Sequence, residues 1–210
     1  MQVNSLGETS TQWREAFRTA GHWFATTSRV APDQLDRPAL GVWNVRDLLG
    51  HTSRALSTVS SYLATEAAGS IGVESAVDYF RRALRQAAPE EVAERGRAAG
   101  AALGAEPAAA IAELLDDVTE RLVHTPDDAP VATPFGVMAL AEYLPTRAFE
   151  LTVHTCDLAC ALSEPLNPPA PAAASALRLA AALGADKGTA GDLLLGLTGR
   201  RNVPAGFSVL

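Results

Sequence analysis

The sequence predicts an all-α protein, and three observations carry that expectation. The apolar residues make up 48% of the chain and are mostly Ala and Leu, both strong helix formers. Aromatic residues are only 6% and β-branched runs are scarce, which disfavours a sheet. Apolar positions also recur three and four residues apart over several long stretches, the period of one helical face. At 210 residues, a chain of this hydrophobic content buries a core of its own.

The first helix is expected from about Thr9 to Arg29, where Trp13, Phe17, Ala20, Phe24 and Thr27 share a face. His22 lies opposite that stripe and is read as solvent-facing. The stretch VAPDQLDRPALGVW holds two prolines, two aspartates and a glycine, the composition of a connecting loop. A second helix starts after Trp43, with Asn44 as N-cap and Asp47 placed to complete a capping box. Its apolar stripe is Val45, Leu48, Leu49, Leu56, Val59 and Leu63, and His51, Ala55, Thr58 and Tyr62 run along the margin. His51 therefore faces the edge of a core.

That helix is expected to end between Gly69 and Gly72, and VESAVDYFRRALRQAA resumes helical spacing before Pro89. Helices over about Glu90 to Leu103 and Pro107 to Val123 follow, the latter opened by a proline in its first turn. His124 falls where this helix stops and suits the negative end of the helix dipole. HTPDDAPVATPFG is an irregular connection with room for short extended pieces. It leads to the helix containing residues 147–162. The proline-rich run SEPLNPPAPAAA then forbids helix until its end, and shorter helices over about Ala172 to Leu183 and Thr189 to Leu197 complete the chain.

Several function classes are disfavoured. A formal charge of −7 and a pI near 5.1 leave no basic face for a phosphate backbone, so nucleic acid is not an expected partner. No apolar run approaches the roughly 18 to 20 residues that span a bilayer, and MQVNSLGETS has neither a basic start nor an apolar signal segment. The expectation is a cytoplasmic protein without a membrane partner. Cys156 and Cys160, four apart on one helix, are awkward for a disulfide and are read as small core residues, with a metal or redox pair as the alternative. Ala-rich faces near Ala98 to Ala110 and Ala172 to Ala182 can pack internally or against a second subunit, leaving monomer and homodimer both open.

The segment RAFELTVHTCDLA carries the main chemical signal. At 100° per residue, Arg147, Glu150, His154, Asp157 and Ala161 fall in one sector of the helix. Leu151, Leu158 and Leu162 flank it on one side, and Phe149, Val153, Cys156 and Cys160 on the other. The remaining sector, Ala148, Thr152, Thr155 and Ala159, suits partial exposure. A polar line bracketed by apolar residues points into the bundle or a cleft in it, and a buried carboxylate there needs compensation. One solution is an ion-pair ladder, with Glu150 bonded to protonated His154 and Arg147 paired with Glu150 or Asp157. The other is a divalent cation held by Glu150 and His154, at i and i+4, and completed by His51 from the second helix.

GVWNVRDLLGHTSRALSTVSSYL, followed about a hundred residues later by YLPTRAFELTVHTCDLACAL, resembles the DinB-like four-helix-bundle superfamily. Within it the chain resembles the mycothiol-dependent maleylpyruvate isomerase N-terminal domain over roughly residues 10 to 163. The resemblance implies a DinB-like four-helix bundle over residues 1–163; residues 164–210 are read from their own composition as a proline-rich linker and a short C-terminal helical extension packed on it. The resemblance also implies a divalent metal, by ligand type and analogy zinc rather than nickel, iron or manganese, on His51, Glu150 and His154. Arg147 and Asp157 match the motif and are expected to orient those ligands or meet the substrate.

The implied cosubstrate is mycothiol, a small-molecule thiol that a cation in an open site deprotonates. The thiolate then attacks a small electrophilic substrate, giving S-transfer or cis-trans isomerisation. In the isomerase a second, mixed α/β domain supplies cationic groups for a dicarboxylate, whereas this sequence continues with about 45 residues of linker and short helices. The expectation is therefore a thiol transferase, or an isomerase of an electrophile other than maleylpyruvate. A non-catalytic metal- or ligand-binding bundle and a metal-free structural bundle are the competing readings.

Overall fold

The computed structural model describes residues 3–86 and 88–210 and shows the all-α architecture that the composition predicts, in keeping with the DinB-like bundle that the resemblance implies. Its helices are α1 (Ser10–Thr27), α2 (Val45–Ala64), α3 (Ala76–Gln86), α4 (Pro89–Ala102), α5 (Pro107–Val123), α6 (Leu140–Leu162), α7 (Ala170–Asp186) and α8 (Ala190–Leu197). Two antiparallel hairpins interrupt them, β1 (Pro38–Leu40) with β2 (Trp43–Asn44), and β3 (Pro130–Thr133) with β4 (Gly136–Ala139). The expected connecting loop and irregular connection thus each contain a small hairpin.

Helices α1, α2, α5 and α6 enclose the core, with Trp13, Phe17, Phe24, Leu48, Leu49, Leu56, Ile111, Leu144 and Leu151 almost fully buried. The helix starts follow from local chemistry. Thr9 caps α1 in a reciprocal box with Gln12, and Asn44 does the same for α2 with Asp47, each pair satisfying backbone donors that have no partner inside the helix. Helix α2 ends earlier than the glycines suggested, at Ala64. Beyond Leu63 the chain has no large apolar anchor until Val73, whose N–H, with that of Gly72, bonds the Val137 carbonyl in β4. Helix α3 is expected to run on to residue 88, but Ala87 lies outside the described residues.

Helix α6, the long one, contains Pro145. A proline removes the donor that would pair with the carbonyl four residues earlier, here Ala141. That carbonyl accepts instead from Asn4 Nδ2 at 3.3 Å. Asn4 also bonds the buried Glu8, and Arg178 of α7 reaches the same carboxylate at 3.4 Å. The N-terminal loop is thereby tied to α6 and α7.

Helix α7 packs on both α1 and α6, and Ala172, Ala176, Leu179 and Leu183 join the core. This overturns one expectation: Ala148, Thr152, Thr155 and Ala159 are buried rather than partly exposed. Small side chains there let neighbouring helices approach closely, and the Thr152 and Thr155 hydroxyls are satisfied by the Ala148 and Leu151 carbonyls. A second correction follows on the other flank, where Cys156 is half-buried and Cys160 exposed; both are free thiols, not core residues. His22 lies at the surface as expected, and His124 stands at the C-cap of α5, where the helix was expected to stop. Among the described residues no single helix is long and apolar enough to cross a membrane.

Candidate metal centre

His51 comes from the second turn of α2, and Glu150 and His154 from adjacent turns of α6. The packing of α2 against α6 brings the three together. Glu150 Oε2 lies 3.2 Å from His154 Nε2 and 4.0 Å from His51 Nε2. One ligand atom from each residue falls within 4.8 Å of the other two, and among the described residues this is the His/Cys/Asp/Glu group that could hold a metal ion. Ligands placed about 2 Å from a tetrahedral zinc stand about 3.3 Å apart, so small side-chain adjustments would bring the three onto one ion and leave a position open.

The donors fit a cation on a further observation. The His51 ring makes no hydrogen bond among the described residues: its Nδ1 is buried without a partner, and its Nε2 faces a carboxylate beyond hydrogen-bonding reach. A divalent cation placed between them would take up the free His51 nitrogen and balance the carboxylate. Two imidazoles and one carboxylate also make a donor set common to catalytic zinc sites, which keep positions open.

The electrostatics of the three groups differ. Burial pushes His51 down to about 4, and the neighbouring His154 charge adds to this, so His51 is neutral at pH 7. Burial also works against a charged His154, but hydrogen bonds to Asp157 and Glu150 outweigh it and raise the ring to about 9. Glu150 is held down at about 2: burial would raise it, yet the hydrogen bond and charge of His154, with Arg147, prevail. The metal-free centre is thus a His154–Glu150 ion pair beside a neutral His51.

Asp157 Oδ2 accepts at 3.0 Å from His154 Nδ1. This bond would keep a proton on Nδ1 when the Nε2 proton is given up to a metal, the arrangement in which a carboxylate orients a ligating histidine. Arg147 is placed differently from the ladder reading, with no ion pair to Glu150 or Asp157 within 4.0 Å. Its guanidinium lies 5.2 and 5.1 Å from the Tyr79 and Tyr143 ring centroids, donating to Tyr79 Oη at 3.3 Å and Thr146 Oγ1 at 3.0 Å. Burial opposes its charge, but these tyrosines and Glu150 raise its pKa further.

The trio opens onto a cleft of about 600 Å³ whose walls include Trp43, Arg54, Tyr62, Tyr79, Phe135, Arg147 and Leu210. Of these, Tyr79, Phe135, Arg54 and Leu210 carried no signal in the sequence. Tyr79 sits on a separate short helix and Leu210 in the C-terminal tail, so no local periodicity connects either to α6. The tail is held by Lys187 Nζ, which donates to the Ser208 carbonyl and to a main-chain oxygen of Leu210.

Residues 13–159 match the family model described as mycothiol maleylpyruvate isomerase N-terminal domain. That span contains His51, Glu150, His154, Arg147 and Asp157. No curated protein and no solved structure matches the chain.

Proposed function

The chain belongs to the mycothiol maleylpyruvate isomerase N-terminal domain family, and from that premise we propose that it is a metal-dependent, thiol-dependent enzyme acting on a small electrophile. His51, Glu150 and His154 hold a divalent cation, zinc by ligand type, and mycothiol is the thiol cosubstrate. The observation that supports this most is the meeting of the three donors on the wall of a cleft, with an unpartnered histidine facing a carboxylate. A closed structural site would instead spend its fourth position on a protein ligand, and among the described residues none joins the trio.

A divalent cation bound there supplies Lewis acidity, lowering the pKa of a thiol in its open position so that thiolate is present at neutral pH. The chain's own residues do the rest. Asp157 keeps the His154 proton on Nδ1. Arg147, with no carboxylate partner of its own, faces the cleft with a positive charge for a carbonyl or carboxylate on the electrophile. Trp43, Tyr79 and Phe135 line the cleft with apolar surface, which keeps water from competing for the reacting carbon. Addition of the thiolate to the electrophile, with retention of sulfur or its departure after bond rotation, distinguishes transferase from isomerase.

The test is elemental analysis of purified protein, followed by turnover of mycothiol with a panel of electrophiles. One divalent metal per chain is expected, lost in His51→Ala and Glu150→Gln. Metal-loaded protein that turns over none of them would favour the second reading, a non-catalytic metal- or ligand-binding bundle, and protein that takes up no metal would remove the metal from both readings.

A further inference from the structure

We propose that Trp43 is a positioning residue for His51, held in place by a backbone-tight contact between α4 and α2 that three glycines permit. The inference rests on reading His51 as a ligand. His154 has Asp157 to fix its ring, but His51 has no hydrogen bond to do so. A ligating imidazole free to turn loses affinity, because its orientation must be set on binding. The groups that bound the His51 ring are themselves rings: the Trp43 indole, with centroids 4.4 Å apart and planes 32° apart, and the edge of His154 at 4.7 Å and 86°.

Trp43 is itself immobilised from the α4 side. Its Nε1 donates to the Ala93 carbonyl at 3.1 Å. One turn further along α4 stands Gly96, where an added Cβ would come within 2.9 Å of three indole atoms. One turn on again, a Cβ on Gly100 would lie 2.6 Å from the Arg46 carbonyl oxygen, and one on Gly50 of α2 would lie 2.0 Å from the Gly100 nitrogen. Each glycine inside a helix costs about 1 kcal/mol relative to alanine, so three at one crossing need a reason. The crossing brings α4 flush against α2, which presses the indole onto the one ligand that lacks a hydrogen-bonded partner. Gly96 and Trp43 therefore act through His51.

Full-length wild type, Trp43→Phe, Trp43→Leu and Gly96→Ala test this with two measurements. The first is the proton NMR of the histidine rings in metal-free protein, where four histidines make assignment direct. The His51 ring protons, lying over the indole, are expected upfield of those of His22 and His124. The shift should vanish in Trp43→Leu and move in Gly96→Ala. The second is zinc affinity by chelator competition, using the metal alone. A loss of about 10–100-fold is expected in Trp43→Leu and Gly96→Ala, the range for removing a group that orients a ligand, with partial recovery in Trp43→Phe, which keeps a stacking ring.

Wild-type zinc affinity in variants whose His51 shifts have moved overturns the proposal. Should Trp43→Leu not fold, Trp43→Phe and Gly96→Ala decide it by the same criterion. If wild type takes up no zinc, the metal reading falls by itself, and unchanged His51 shifts in Gly96→Ala then overturn the positioning role separately.

Discussion

Asp157 Oδ2 and His154 Nδ1 meet at 3.0 Å, three residues apart on one helix, while the other nitrogen of the same ring faces Glu150 at 3.2 Å. One imidazole thus joins a carboxylate that orients it to a carboxylate that would share its metal. Replacing Asp157 by Ala should leave the helical fold intact, since the side chain is partly exposed, and weaken zinc binding by about 10–100-fold. Chelator competition together with far-ultraviolet circular dichroism checks both halves; a variant with undiminished affinity would show that the contact does not serve the metal.

The metal-free protein should be most stable near pH 6.5. The His154 pKa is raised to about 9 from an ordinary value of 6.5, so its contribution is complete below 6.5 and is lost as pH rises through 9. The His51 pKa is lowered to about 4; folding favours its neutral form, and that contribution is complete above 6.5 and lost as pH falls through 4. Glu150, held at about 2, adds a loss below 4.5. Thermal midpoints measured in chelator should decline on both sides, with His154→Ala flattening the alkaline limb and His51→Ala the acid one. A wild-type midpoint level from pH 6.5 to 9.5 contradicts the ion pair.

Gly50→Ala should destabilise the fold by about 1–3 kcal/mol or more, the cost of overpacking a tight contact, because the new methyl meets the Gly100 backbone at 2.0 Å. Gly191→Ala is the control. It lies in α8 with nothing within 4 Å of the added carbon, and its change should be neutral to stabilising, by at most about 1 kcal/mol. Denaturant unfolding compares the two.

Asn4→Ala should cost about 1–3 kcal/mol, the penalty for leaving buried groups unpaired, since Glu8 and the Ala141 carbonyl both lose a donor. Pro145→Ala supplies an N–H for that carbonyl. In a double-mutant cycle it should recover part of the loss, and strict additivity would disprove the link between the two positions.

The sequence announced some parts of this centre and hid others for reasons visible in single residues. Glu150, His154 and Asp157 could be placed on one side of a helix because an interval of three or four residues returns to the same face whatever surrounds it. The starts of α1 and α2 were legible for a like reason: capping is chemistry between neighbours, as in Asn44 and Asp47. Ala148 and Thr155 misled because small and weakly polar residues are compatible with both water and a close helix contact, and the packing of neighbouring helices on α6 chose the second. Arg147 misled because ion pairing within a helix competes with aromatic rings that arrive from elsewhere, and Tyr79 is one of these.

The amino-acid sequence by itself determined that the chain is helical, where most helices run, and that α6 carries a polar line flanked by apolar residues. Only the tertiary structure decided that His51 reaches Glu150, that Trp43 lies over His51, and that Tyr79 rather than a carboxylate receives Arg147. Helical periodicity sets angles within one segment, whereas the neighbours of a face depend on which distant segments pack together, and that is a property of contacts summed over the whole chain.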